Sequence, residues 1–295
     1  MRDYCLTCSS PADLSNNYME KRDIKYISFH YTLDGVEYLD DMGRTISSDE
    51  LFEKMQNGAD TKTSQVAVGE YEAFFEKILK DGKDIIHLTL SSGISGTYNS
   101  ACIARDNLLE KYPDRKLYVV DSLAASSGYG LLVDGVADKR DEGLNIDELY
   151  KWTEENKLNL HHWFYSTDLT FYIKGGRVSK TAGTIGNVLN ICPLLNVDYE
   201  GKLTPREKIR GKKKVMLRTL EMMKEHVRDG LDYDGRCFIS QSAFFDEAQK
   251  LADMIQETFP KLDGNVRIYP IGTTIGSHTG PGTIALFFWG DKRVD

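Results

Sequence analysis

The sequence predicts an α/β protein of two domains: a parallel sheet covered on both faces, then a smaller α/β unit with a mixed or antiparallel sheet. Three observations carry this. Through the first half, near-continuous apolar runs of strand length alternate with helical stretches, the pattern of strands buried on both faces. After residue 160 the texture changes to short strands, glycine and basic residues, closing in two helix–strand pairs and one apolar run. A chain of 295 residues is long enough for two modest cores. The boundary is therefore placed near residue 160, giving units 1–160 and 161–295.

In chain order, YCLTC (4–8), IKYISFHYTL (24–33), DIIHLTL (84–90) and KLYVVD (116–121) read as strands, being rich in β-branched and aromatic residues. Ser47 and Glu50 form a capping box that opens the helix DELFEKMQNG. GEYEAFFEKILKDG carries Phe74, Ile78 and Leu79 on one face and stops at Gly82; TYNSACIARDNLLEKYP runs to Pro113. DELYKWTEENK is the last helix of the first unit. In the second unit PLLNVDYEGKL supplies short strand candidates, and KVMLRTLEMMKEHVRDG leads into the strand RCFIS. DEAQKLADMIQETFP leads into VRIYPI, and GTTIGSHTGPGTIALFFWG reads as a glycine-rich loop entering an apolar strand.

Composition narrows the function. Lys plus Arg number 37 against 45 Asp plus Glu, a net charge of −8, which argues against a dedicated nucleic-acid binder. The longest apolar stretches fall far short of a membrane span, and MRDYCLTCSS lacks the apolar run of a signal peptide, so a cytoplasmic setting is expected. Five thinly spread cysteines fit a reducing compartment. Cys5 and Cys8 form a C-x-x-C, but within a strand they face opposite sides, and no second pair sits at zinc spacing.

Ligands of a parallel sheet collect beyond the carboxyl ends of its strands. Three loops predicted there, TCSSPAD, SSGISGT and DSLAASSGYG, and the similar TKTSQVAVGE are crowded with Ser, Thr and Gly, which together make a polar cup. A phosphate loop is excluded by the missing lysine of G-x-x-x-x-G-K-[ST], and a dinucleotide fingerprint by its missing third glycine. Residues 93–97 miss the G-x-S-x-G nucleophile elbow by one position. A serine hydrolase acting on acyl esters stays open as the alternative, with Ser95 as nucleophile, His278 as base and Asp121 as orienter. His278 stands out among six histidines because two glycines and a proline surround it. PREKIRGKKK packs six cations into 205–214; standing alone it reads as a solvated turn leading into a helix. With Arg177 beside glycine in YIKGGRVSK, it marks a docking surface for an anionic group or partner.

Taken together, TSQ (63–65), SSGISGTYNSA (91–101), VVDS (119–122), KGGR (174–177), GKLTPREKIRGKKK (201–214) and GSHTGPG (276–282) resemble the DegV family of bacterial fatty-acid-binding proteins, in family order and across nearly the whole chain. The resemblance implies two α/β domains with a lipid tunnel between them and a long-chain fatty acid as ligand, with no other cofactor and no metal. It implies a carboxyl held by Thr63, Ser95 and His278, with Ser64, Gly96, Thr97 and Ser122 in the surrounding head-group loops. It further implies a carrier that is not itself catalytic and presents its fatty acid to a separate ATP-dependent kinase for acyl-phosphate formation, feeding phospholipid synthesis. Arg177 and Arg210 match the arginines implicated in that docking. The chain departs from the family pattern at Cys8, where an acid is usual, at Asp13-Leu14, one residue late, and at Val66, where proline is common.

Overall fold

A computed structural model describes residues 4–179 and 190–294; residues 180–189, part of the glycine-rich and basic region, lie outside the described residues. Strands β1 (Tyr4–Ser9) and β2 (Lys25–Ile27), joined through helix α1 (Asn16–Lys21), begin the first sheet. Next come β3 (His30–Leu33), β4 (Val36–Leu39), helix α2 (Ser48–Gln56) and β5 (Thr61–Ser64). Helix α3 (Val68–Lys80), β6 (Asp84–Thr89), α4 (Thr97–Lys111) and β7 (Leu117–Asp121) follow, then helices α5 (Ser126–Asp141) and α6 (Ile146–Asn156). The second half runs β8 (Leu160–Ser166), α7 (Thr170–Lys174), β9 (Ile191–Val197), β10 (Leu203–Arg210) and α8 (Lys212–His226). It ends with β11 (Cys237–Gln241), α9 (Phe245–Thr258), β12 (Arg267–Pro270), α10 (Thr273–Thr279) and β13 (Thr283–Trp289).

Three sheets result. The first, in order β2-β1-β6-β7, is parallel throughout. The six-stranded sheet, in order β10-β9-β8-β13-β11-β12, is mixed: only β11 and β12 run parallel. Cys5 and Cys8 point into different clusters on the two faces of the first sheet, as their spacing requires. Helix α5 is buried from Ser126 to Asp134 because it is held between the 3-10 turn after β1 and strands β8, β11 and β13 of the six-stranded sheet. The core therefore runs unbroken from Leu6 through Leu132 to Phe287. Arg293 ties the halves together, its guanidinium donating to Val197 O at 2.9 Å, Asp198 O at 2.8 Å and Leu123 O at 3.0 Å.

The third sheet, β4-β3-β5, is antiparallel and was not expected. The apolar run 24–33 is two strands in two sheets. Phe29 interrupts it: its N–H donates to Ser10 Oγ at 3.0 Å and its carbonyl accepts from Asp40 N at 2.8 Å, so neither group is left for a continuous ladder. The signal was present in LDGV, since Asp34 (φ 51) and Gly35 (φ 82) turn the hairpin with both central residues at positive φ.

Other differences have equally local causes. TKTS is strand β5 rather than a loop, Thr63 standing opposite Tyr31. Residues 203–210 form edge strand β10 rather than a turn; Arg206, Lys208 and Arg210 are exposed along it, a charged row that discourages edge pairing. TTIGSHT is helix α10 rather than a loop, closed by Gly280 N donating to Gly276 O at 2.8 Å. On α3 the buried stripe is Tyr71, Phe75, Ile78 and Leu79, with Phe74 at its margin. No helix among the described residues is long and apolar enough to cross a membrane.

Candidate ligand site

A cavity of about 470 Å³ opens between the six-stranded sheet and the loops that follow the strands of the first sheet, within the range of small-ligand sites. Its walls are mainly apolar and come from both halves: Phe29, Leu90 and Ile94 from one, Phe164, Ile271 and Phe287 from the other. Polar side chains gather where β5, the loop before α4, and α10 meet.

Helix α10 creates that meeting. Although it belongs to the second half, it packs against α2, β3 and β5 of the first. Thr61 Oγ1 donates to Ser277 O at 3.2 Å and Thr274 Oγ1 donates to Asp40 Oδ2 at 2.6 Å. Gly276 permits the approach, because a Cβ there would stand 2.9 Å from the Phe52 ring. Thr63 Oγ1 and His278 Nε2, 215 positions apart in sequence, thereby come within 2.6 Å.

Burial, reinforced by the Arg177 charge, pushes the His278 pKa down to about 4, so the ring is neutral at pH 7. Its Nδ1 has no partner among the described residues and lies against Gly175, where any Cβ would collide with it. An unpaired buried N–H costs more than an unpaired lone pair, so the proton belongs on Nε2, donated to Thr63 Oγ1. The Thr63 hydroxyl proton is then free to face the cavity. Ser95 lines the same cavity; its Oγ accepts from Thr97 N at 3.3 Å, which leaves its own proton to donate. Gly96 lines the wall beside them, against Gln65, whose Nε2 donates to Ser100 Oγ at 3.0 Å.

Arg177 also lines this cavity, half-buried, with Nη1 donating to Gly175 O at 2.6 Å. Read from sequence as a partner-docking residue, it brings a cation to the polar end that sequence reasoning supplied with hydroxyls and an imidazole alone. Arg210 is exposed at the end of β10 and does not line the cavity. Three other residues read as head-group loop members lie elsewhere. Ser64 is exposed, opposite His30 in the β3–β5 ladder. Thr97 is buried, with Oγ1 at 2.7 Å from Tyr71 Oη. Ser122 is spent on its own turn, accepting from Ala124 N at 3.1 Å. Gln65, Ser126 and Tyr172 line the wall unforeseen. Behind Ser126 stands buried Asp13, whose Oδ2 accepts from Ser126 Oγ and whose carboxyl is held well above the usual range by burial. Only the hydroxyl-rich texture of TCSSPAD and DSLAASSGYG could have signalled Asp13 and Ser126.

The geometry speaks against a serine hydrolase. His278 Nε2 is engaged by Thr63 rather than Ser95, and Asp121 Oδ1 accepts from Ser92 N at 3.0 Å and Leu123 N at 3.2 Å instead of orienting an imidazole. A nucleophile–base–acid chain therefore does not form.

Away from the cavity, His161, His226 and Asp291 converge, with Asp291 Oδ1 at 2.8 Å from His161 Nε2 and 3.3 Å from His226 Nδ1. The two rings stack at 4.9 Å and 20°. As placed, the set is a carboxylate bridging two imidazoles.

A family model described as DegV, a family of uncharacterised proteins, matches residues 6–291. The chain belongs to the DegV family. It is 38% identical over 293 residues to a DegV domain-containing protein of Clostridium perfringens, covering 99% of each chain. A DegV family protein of Thermus thermophilus, described for its fatty-acid binding, superposes with a TM-score of 0.86 at 25% identity, covering 99% of this chain and 100% of that one. The fatty acid kinase B3 protein of Streptococcus pneumoniae, loaded with linoleic acid, shares the fold at 24% identity and a TM-score of 0.84, covering 98% and 100%.

Proposed function

We infer that this protein is a non-catalytic carrier of a long-chain fatty acid, bound in the cavity between its two halves. The observation that carries the reading is an apolar cavity ending in hydroxyl, neutral imidazole and guanidinium groups, Thr63, Ser95, His278 and Arg177, in a chain of the DegV family. Burying a sixteen-carbon chain is worth about 0.8 kcal/mol per methylene, roughly 12 kcal/mol gross before ordering costs. Affinity therefore comes from the walls, and the polar end has only to satisfy the carboxyl oxygens, which are costly to bury unpaired. Thr63 and Ser95 each donate one O–H; His278 orients Thr63; Arg177 supplies the counter-charge.

A carboxyl held this way stays chemically intact and ready for transfer. The protein, as two domains meeting near residue 160, presents that carboxyl to an ATP-dependent acyl kinase, with Arg210 on the docking face. The acyl phosphate serves phospholipid synthesis in the cytoplasm. The test is to load the purified protein with a labelled fatty acid and add the kinase with ATP. Acyl phosphate is expected only when protein, kinase and ATP are all present. Release of an alcohol or acid from an acyl ester by the protein alone would point to a hydrolase instead.

A further inference from the structure

The cluster of His161, His226 and Asp291 has no task in the fatty-acid reading, and none of the three lines the cavity. His161 comes from β8, His226 is the last residue of α8, and Asp291 follows β13. Each offers one ligand atom, and all three atoms lie within 4.8 Å of one another. Asp291 Oδ1 is 2.8 Å from His161 Nε2 and 3.3 Å from His226 Nδ1. Nitrogen and oxygen ligands held at about 2.1 Å around one ion lie roughly 3.0–3.4 Å apart, so both separations are close to the edge of a coordination shell. The site is reachable from solvent: the Asp291 side chain is 62% exposed and that of His226 33%, in front of His161 at 5%.

Two imidazole N–H groups donating to one carboxylate would give similar distances, but a pairing at the surface is worth little and needs no fixed backbone. Here every ligand is fixed. Asp291 N donates to His226 O at 2.9 Å, and Gly290 N donates to Asn159 O at 2.7 Å. His161 stands opposite Phe288 in the β8–β13 ladder, and their rings stack at 5.3 Å and 6°. The His226 ring stacks on Trp163 at 5.6 Å and 18°. Gly290 permits the convergence, because a Cβ there would collide with His226 O and the His161 ring. Ligands held this way lose little freedom when an ion arrives. Burial pushes the His161 pKa down to about 4, so its ring is neutral at pH 7. Without an ion, Nε2–H donates to Asp291, whose carbonyl is 2.9 Å away; with one, Nε2 turns its lone pair to the metal and the proton sits on Nδ1. Arg293, which also bears on that ring, commits its guanidinium to the Val197, Asp198 and Leu123 carbonyls.

We propose that His161 Nε2, His226 Nδ1 and an Asp291 carboxylate oxygen bind one divalent transition-metal ion of the zinc type, with the remaining position filled by water. Two imidazole nitrogens and one carboxylate suit Zn²⁺ and disfavour Mg²⁺ and Ca²⁺, which take oxygen ligands. The ion clasps β8, the end of α8 and the segment after β13, so its effect is on the stability of the second half. The proposal stands apart from the fatty-acid reading and does not depend on it.

The experiment uses the full chain without a histidine tag, stripped of metal and titrated with Zn²⁺ in competition with a chromophoric chelator. One Zn²⁺ per chain is expected, with no comparable binding of Mg²⁺. Asp291→Asn and His226→Gln change accessible side chains, and each should weaken Zn²⁺ binding by at least the roughly 10- to 100-fold that loss of a supporting group costs a metal site. His30→Gln, on β3, should leave it unchanged. Excess Zn²⁺ should raise the melting temperature of wild type and not that of Asp291→Asn. Absence of stoichiometric Zn²⁺ binding to wild type overturns the proposal, and this result needs no variant to fold. Zn²⁺ binding that survives at full strength in both Asp291→Asn and His226→Gln overturns it equally.

Discussion

Replacing Thr63 by valine removes one oxygen and little else. Valine keeps the volume and β-branching that suit strand β5, so the fold has no reason to change. The oxygen removed is the one 2.6 Å from His278 Nε2. Two losses follow. The bound carboxylate gives up one charge-assisted hydrogen bond, worth about 1.5–3 kcal/mol, or roughly 10- to 150-fold in affinity. The imidazole loses its only partner among the described residues, because Nδ1 has none. Displacement titration of a fluorescent fatty acid at neutral pH measures the first loss. The methyl ester of the same acid isolates the carboxylate: valine should weaken the free acid far more than the ester. An unchanged affinity for the free acid, or equal weakening of acid and ester, would refute the assignment of Thr63 to the head group.

Three further outcomes are expected. Gly175→Ala places a methyl group against His278 Nδ1 and should weaken fatty-acid binding about as much as His278→Ala does, because φ −74 lets alanine keep the backbone; titration of both variants checks this. A folded pKa of about 4 against an ordinary 6.5 means that the unfolded chain binds the proton first, so the His278 contribution to stability is intact above pH 6.5 and lost as pH falls towards 4. Denaturant melts across that window should show a shallower pH slope in His278→Gln than in wild type, the raised carboxyl of Asp13 being common to both. Finally, Arg177→Gln should weaken fatty-acid binding at the cavity, whereas Arg210→Glu should leave that binding unchanged and reduce acyl-phosphate formation with the kinase; affinity and turnover measured on both variants separate the two roles.

What the sequence made legible follows from how each signal arises. Strands β1, β6 and β7 announce themselves because burial on both faces demands uninterrupted apolar residues. The antiparallel sheet was harder, since its strands are four residues long and β5 is Thr-Lys-Thr-Ser, with no apolar pattern. Helix α10 hid behind Gly276 and its small hydroxyls, which lower helix propensity; Gly276 is required by its packing on Phe52. At the site, the proximity of Thr63 and His278 is a tertiary fact that depends on α10 crossing to the other half, and only family resemblance pointed to it. Arg177 looked like a surface cation because sequence carries no information on which face of KGGR meets the cavity. Ser64, Thr97 and Ser122 share the hydroxyls of a binding loop, but Ser64 is exposed on strand β5, Thr97 pairs with the Tyr71 hydroxyl and Ser122 closes its own turn.

The most direct measurement is organic extraction of the purified protein followed by mass spectrometry. One long-chain fatty acid per chain, released intact as the free acid, is expected. No stoichiometric lipid, combined with no uptake of added fatty acid by the stripped protein, would contradict it.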